Sequence, residues 1–126
     1  MILEVKHMHK VYSKEGLYLE EQADGTVRIG LSSYGSDAVG EVSYFAFFND
    51  RELVAGEPFF SVEGSKAVTD MLAPISADIV SKNESLADQP ELLNEDDESL
   101  KWLVVAKSNQ AIKWADFLSE DQPIEN

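Results

Sequence analysis

Between Thr26 and Leu31 apolar and polar positions alternate, with Val27, Ile29 and Leu31 on one face and Arg28 and Gly30 on the other. That period of two predicts a half-buried strand. Ala23-Asp24-Gly25 before it is turn chemistry, so Leu17 to Glu20 and Val27 to Leu31 read as a hairpin. Ser32 to Val39, with Ser at its entry and Gly40 at its exit, suits about two helical turns. Val42 to Phe48 is rich in aromatic and β-branched residues, and Asn49-Asp50 ends it with a turn signal. Phe59 to Glu63, Ala67 to Leu72 and Ala77 to Lys82 continue the series, separated by Gly64-Ser65-Lys66 and by Pro74. Short strands in such a series predict a mainly β barrel or sandwich.

The pattern then changes. From Glu84 to Glu98 there are seven acidic residues and no basic one, with Pro90 among them, which predicts a solvated, irregular connection with one helical turn. Lys101 to Ala106 reads as a last strand. After it, Ser108 is placed to cap a helix over about 108–119, in which Ala111, Trp114, Ala115 and Leu118 recur at helical spacing. Residues from Ser119 onward are expected to fray. There is no solenoid-type internal repeat.

Composition narrows the class. The 126 residues hold 24 Asp or Glu against 10 Lys or Arg, a formal net charge of −14, and no Cys. The length fits one domain, and 44% hydrophobic residues suffice for a core. A disulfide-stapled scaffold and a Cys-ligated zinc module are excluded. Nucleic acid and anionic membrane both reward clustered Lys and Arg, so neither is expected as a partner. An acidic surface favours basic protein partners. Met1 to Lys10 has no unbroken apolar core of a secretory signal, and the scarcity of Arg does not suit a transit peptide, so a cytoplasmic address is expected.

Candidate chemistry is sparse. There is no thiol nucleophile, and the two histidines, His7 and His9, lie near the N-terminus. Two apart, they would share a strand face, but two ligands without a third define no metal geometry, and they read as exposed strand residues. Gly35, Gly40 and Gly64 lack the spacing of a phosphate-binding loop. One arrangement stands out, over residues 59–72. Two β-prone arms, with Phe60 and Val62 on one and Val68 and Leu72 on the other, flank a turn of small residues that presents Lys66 at or beside a hairpin tip. A tip lysine ordinarily serves only solubility. Here it is a cation in a negative field, between Ser65 and Ala67, and sterically open to a modifying enzyme.

From about Tyr12 to Ala106 the chain resembles the H protein of the glycine cleavage system. The resemblance is carried by Tyr12-Ser13-Lys14-Glu15, Asp24-Gly25-Thr26-Val27, Gly40-Glu41-Val42, Ala55-Gly56-Glu57-Pro58-Phe59, Lys66-Ala67 with Asp70, Ala73-Pro74-Ile75-Ser76, Pro90-Glu91-Leu92 with Asn94, and Trp102-Leu103. It implies a lipoyl-type barrel-sandwich hybrid of two small antiparallel sheets with short helices and a C-terminal helix. It also implies a non-catalytic carrier with lipoate amide-linked to Lys66. Biotin carriers usually place Met on both sides of their lysine, whereas Ser65 and Ala67 stand here. The implied partners are a lipoate-attaching enzyme, a pyridoxal-phosphate glycine decarboxylase, an aminomethyltransferase using tetrahydrofolate, and dihydrolipoamide dehydrogenase. A monomer is expected. Glu63 and Asp70 flank Lys66 on the hairpin, where their charge could be read by the attaching enzyme or could simply be solvated.

Some positions depart from the family pattern. Gly16, Leu17 and Tyr18 stand where His-Glu-Trp is usual, and an apolar Leu17 cannot pair with the ammonium of an aminomethylated arm as the Glu does. Asn49-Asp50-Arg51-Glu52 replaces a Pro-Glu-Val-Gly turn, Ala77 a Gly, and Gly64-Ser65 a Ser-Val. These changes keep the carrier hairpin. They also resemble a divergent H-like subgroup associated with lipoyl relay or redox metabolism, where an acidic residue near the arm can be ADP-ribosylated. Asp37 is the candidate acceptor, although an exposed Asp near a helix end needs no such role. The rival from another class is an unlipoylated binding module of the same fold. An enzyme is the poorest reading, for want of acid, base and nucleophile together.

Overall fold

The computed structural model describes residues 8–124. Among these residues nine strands form two sheets: β1 (Lys10–Tyr12), β2 (Leu17–Glu21), β3 (Val27–Leu31), β4 (Val42–Phe47), β5 (Glu52–Leu53), β6 (Pro58–Gly64), β7 (Val68–Leu72), β8 (Ala77–Lys82) and β9 (Trp102–Lys107). The larger sheet has the order β1-β2-β3-β9-β8-β5 and the smaller β4-β6-β7, with all ladders antiparallel. The expected hairpin forms in register, Leu19 opposite Ile29. Its turn is held by Asp24, whose carboxylate accepts from the Thr26 hydroxyl at 2.6 Å and the Thr26 N–H at 3.0 Å. Those bonds hold the exposed Asp24 carboxyl below the usual carboxylate range. The edge strands β1 and β5, three and two residues long, are too short to leave a periodic signature and were not legible in the pattern.

The two sheets close on one core. Leu17, Leu19, Ile29, Leu31, Leu103 and Val104 fill it from the larger sheet, and Phe45, Phe60, Val62 and Met71 from the smaller. Helix α1 (Ser33–Val39) runs between β3 and β4. The Ser32 hydroxyl caps it by accepting from Gly35 N–H at 3.1 Å, and Gly40, with φ 85°, ends it.

Three expectations are corrected. The acidic connection keeps its carboxylates outward, but its backbone is folded into helix α2 (Ser85–Asp88) and 3₁₀ turns over Pro90–Asn94 and Glu98–Lys101. Leu86 and Leu93, both fully buried, peg it to the core. The C-terminal helix of about 108–119 does not form. Ser108 closes a local turn with Gln110 instead of capping a helix, and only Trp114–Asp116 winds into a 3₁₀ turn. Tyr12 and Leu118 exchange two backbone hydrogen bonds of 2.8 Å. The exposed edge of β1 offers those backbone groups partners, and Ile112, Trp114 and Phe117, in and around the 3₁₀ turn, pack partly buried against the core. Fraying is the expectation from Ser119 onward, but at Asp121 the chain is tied: its Oδ2 accepts from Tyr34 N–H at 2.9 Å. No helix among the described residues is long and apolar enough to cross a membrane.

Candidate functional site: the Lys66 hairpin

Alternation along β6 and β7 sends Phe60, Val62 and Met71 into the core and Glu63, Val68 and Asp70 outward. The strands meet at Gly64 to Ala67, where Gly64 N–H donates to Ala67 C=O at 2.9 Å. Ser65 and Lys66 form the tip and both are exposed. Among the described residues positive φ occurs only at glycines, so the turn carries these two side chains without backbone strain.

The tip is seated, not free. Lys66 N–H donates to Val39 C=O and Ser65 N–H to Glu41 C=O, each at 2.9 Å. Glu41 N–H returns a bond to Ser65 Oγ at 2.9 Å, and Lys66 Nζ donates to Asp37 C=O at 3.1 Å. The end of α1 thus supplies carbonyls left over by the helix, and the tip satisfies them. Asn94 holds this junction from behind. Its Oδ1 accepts from Val42 N–H at 2.7 Å and its Nδ2 donates to Gly40 C=O at 2.8 Å. One layer deeper, Ser36 Oγ donates to Leu93 C=O at 2.7 Å and accepts from Lys101 Nζ at 3.3 Å. Lys101 is 1% exposed, and burial holds its ammonium below the usual lysine range, with Glu98 and Asp121 opposing that shift.

The sequence-derived residues fall as follows. Glu63 lies opposite Val68 and Asp70 opposite Ser61, both exposed on the outer face of the same hairpin as Lys66. Asp37 is exposed at the end of α1, and its carbonyl receives the lysine. Leu17 is a core residue, 1% exposed and paired with Leu31, which places it in the barrel interior. His7 lies outside the described residues. His9 is stacked on Trp114 at 4.8 Å and bonded to Glu21, and among the described residues no three His, Cys, Asp or Glu side chains gather as a metal site. Charge patterning did not reveal Asn94 or Lys101 as supports of the tip. Asn94 sits amid acidic residues, and its role depends on a carbonyl 54 positions away.

What this arrangement offers chemically is one exposed primary amine on a turn held by hydrogen bonds to the end of α1. A family model described as "Glycine cleavage H-protein" matches residues 10–126. The chain belongs to the glycine cleavage H-protein family. It is 40% identical over 95 residues to the glycine cleavage system H protein of Vibrio atlanticus, covering 75% of each chain. To that of Geobacillus kaustophilus it is 34% identical over 112 residues, 88% of this chain and 87% of the other. A crystal structure of a glycine cleavage system H protein from Mycobacterium marinum superposes with a TM-score of 0.73 at 26% identity, covering 87% of this chain and 89% of that one. H proteins of this family carry lipoate covalently on a lysine and are non-catalytic subunits that serve the enzymes of the glycine cleavage system. The mainly β fold of two antiparallel sheets is that of the solved H protein.

Proposed function

We propose that Lys66 is the lysine that carries lipoate, and that the chain, as a single carrier domain, shuttles an aminomethyl group and reducing equivalents during glycine decarboxylation. The observation that carries this is the position of Lys66 at an exposed tip, flanked by Ser65 and Ala67 and fixed by Val39, Glu41 and Asn94. The residues fit the group: small neighbours leave room for an acyl chain, and with no Cys in the sequence no protein thiol can exchange with a bound disulfide. Attachment needs an activated lipoyl group, a mixed anhydride with a phosphate or a thioester. The Lys66 amine attacks its acyl carbon, the new C–N bond replaces the bond to the leaving group, and the ammonium gives up two protons with no electron transfer. When bound, lipoate supplies a dithiolane that accepts electrons and a one-carbon amine. The tether raises the effective concentration of that group at each partner.

Glu63 and Asp70 present negative charge to the attaching enzyme, and the chain as a whole, at −14, suits basic partner surfaces. The partners in this reading are a pyridoxal-phosphate glycine decarboxylase, an aminomethyltransferase using tetrahydrofolate and dihydrolipoamide dehydrogenase, met by a monomer in the cytoplasm. The test is the intact mass of the protein from its own cell, with a peptide map over residues 59–72. A single lipoyl or octanoyl adduct on Lys66, abolished in a folded Lys66→Arg variant, is expected. An adduct on another lysine, or none in a cell that lipoylates its other carriers, overturns the proposal.

A further inference from the structure

A groove opens where the larger sheet ends, away from the Lys66 turn. It runs between β5, the start of β8 with the residues before it, and the C-terminal segment 108–117, and its volume is about 720 Å³. Hollows of that size hold a small molecule or a short peptide segment. Leu53 and Ala77 are buried beneath it, Ile75, Ile112 and Phe117 are half-buried, and Val54 is exposed at its lip. A helix over 108–119 would have used the N–H groups of that segment internally. In its absence the N–H groups of Ala111, Ile112 and Lys113 have no hydrogen-bond acceptor among the described residues. Glu52, Asp78 and Asp116 also line the groove, all exposed, and none of their carboxylates has a hydrogen bond or ion pair among the described residues. Lys113 is the one base among the lining residues.

An apolar floor, open main-chain donors and unpaired carboxylates together select an occupant. We infer that this groove docks a segment of a partner protein in which apolar residues are flanked by Lys or Arg. Its apolar side chains cover the floor, its cations meet Glu52, Asp78 and Asp116, and its main-chain carbonyls accept from the amides of 111–113. A small amphiphilic cation would answer the floor and the carboxylates but leave those three amides unused. A second copy of the chain, at −14, would bring like charge to an acidic rim. The place of the groove gives the docking a use. Lys66 precedes β7 and Pro74 follows it, so the five residues of that strand, about 17 Å, lie between them. A partner held here leaves the turn uncovered, and an arm on Lys66 meets that partner at raised effective concentration. That use rests on the carrier reading above, whereas the peptide groove does not.

The test uses the full-length, unmodified protein and a pool of end-blocked hexapeptides with Lys at both ends and Val, Leu, Ile or Phe between. Retention of this pool on the protein is expected to exceed that of the same pool with Glu at both ends by on the order of tenfold. In a titration followed by NMR the peptides should shift the amides of Ala111, Ile112 and Lys113 and leave those of Ser65 and Lys66 in place. Glu52→Lys/Asp78→Lys and Val54→Lys, checked for folding by urea unfolding, should each lower retention about tenfold. Glu63→Lys/Asp70→Lys, the same change of charge on the other sheet, should hold retention within about twofold of the parent. Equal losses in the two double variants, no retention, or shifts spread over the whole surface would overturn the groove, leaving only general attraction to an acidic chain. So would octylammonium displacing the peptides while the amides of 111–113 stay unmoved, or sedimentation showing that the groove joins two copies. Peptide binding in a protein that its cell never modifies at Lys66 would uphold the groove and defeat the carrier reading. Lipoyl-Lys66 without peptide binding would do the reverse.

Discussion

Gly40 lies so close to Ser65 that a Cβ on it would stand 2.4 Å from the Ser65 hydroxyl oxygen and 3.0 Å from the Lys66 nitrogen. Its φ of 85° also falls where L side chains are strained. The end of α1 and the carrier tip therefore fit as one unit, and the glycine is what permits the contact. Gly40→Ala is expected to cost about 1–3 kcal/mol in urea unfolding. It should also speed hydrogen exchange of the Ser65 and Lys66 amides, which donate to Glu41 and Val39. Unchanged exchange at those two amides would show that the seat does not depend on the glycine.

Leu17 stands where the resemblance expects a carboxylate, yet it faces the barrel interior at 1% exposure beside Leu31. Leu17→Glu should therefore fail to add a group for the arm and should instead bury a carboxylate with no partner. Destabilisation of about 3 kcal/mol or more is expected, against less than about 1.5 kcal/mol for Leu17→Met. Equal unfolding midpoints for the two variants would show that the strand can turn this side chain outward.

Lys101 yields a pH signature. Burial lowers its pKa in the folded chain below the ordinary 10.5. The unfolded chain then binds more protons in the window just below that value, and stability of the wild-type protein rises with pH there. Lys101→Met removes both the buried charge and the gain, while Ser36 keeps its bond to Leu93. The methionine variant should be more stable by about 1 kcal/mol near neutral pH. That margin should shrink as pH approaches 10 in paired urea titrations. A margin independent of pH would mean that Lys101 keeps its ordinary proton affinity on folding.

Much of this molecule follows from local chemistry that a sequence displays. Alternation identifies β3 and the two arms of the Lys66 hairpin, Ser32 and Gly40 bracket α1, and the Asp24-Gly25 turn pairs β2 with β3, because each depends on neighbours within a few positions. The order and spacing of motifs point to the family and to Lys66. Other features depend on partners distant along the chain. Residues 108–119 have helical spacing, but they lie beside an open strand edge, and pairing between Tyr12 and Leu118 outweighs a short isolated helix. The acidic connection looks solvated by its charge, yet Leu86 and Leu93 anchor it and Asn94 reaches Gly40 and Val42. Which lysine is the candidate carrier was legible from the sequence. How its tip is held came only from tertiary structure, because hydrogen bonds between Asn94 and Gly40 or Ser65 and Glu41 form only once the fold has brought those backbones together.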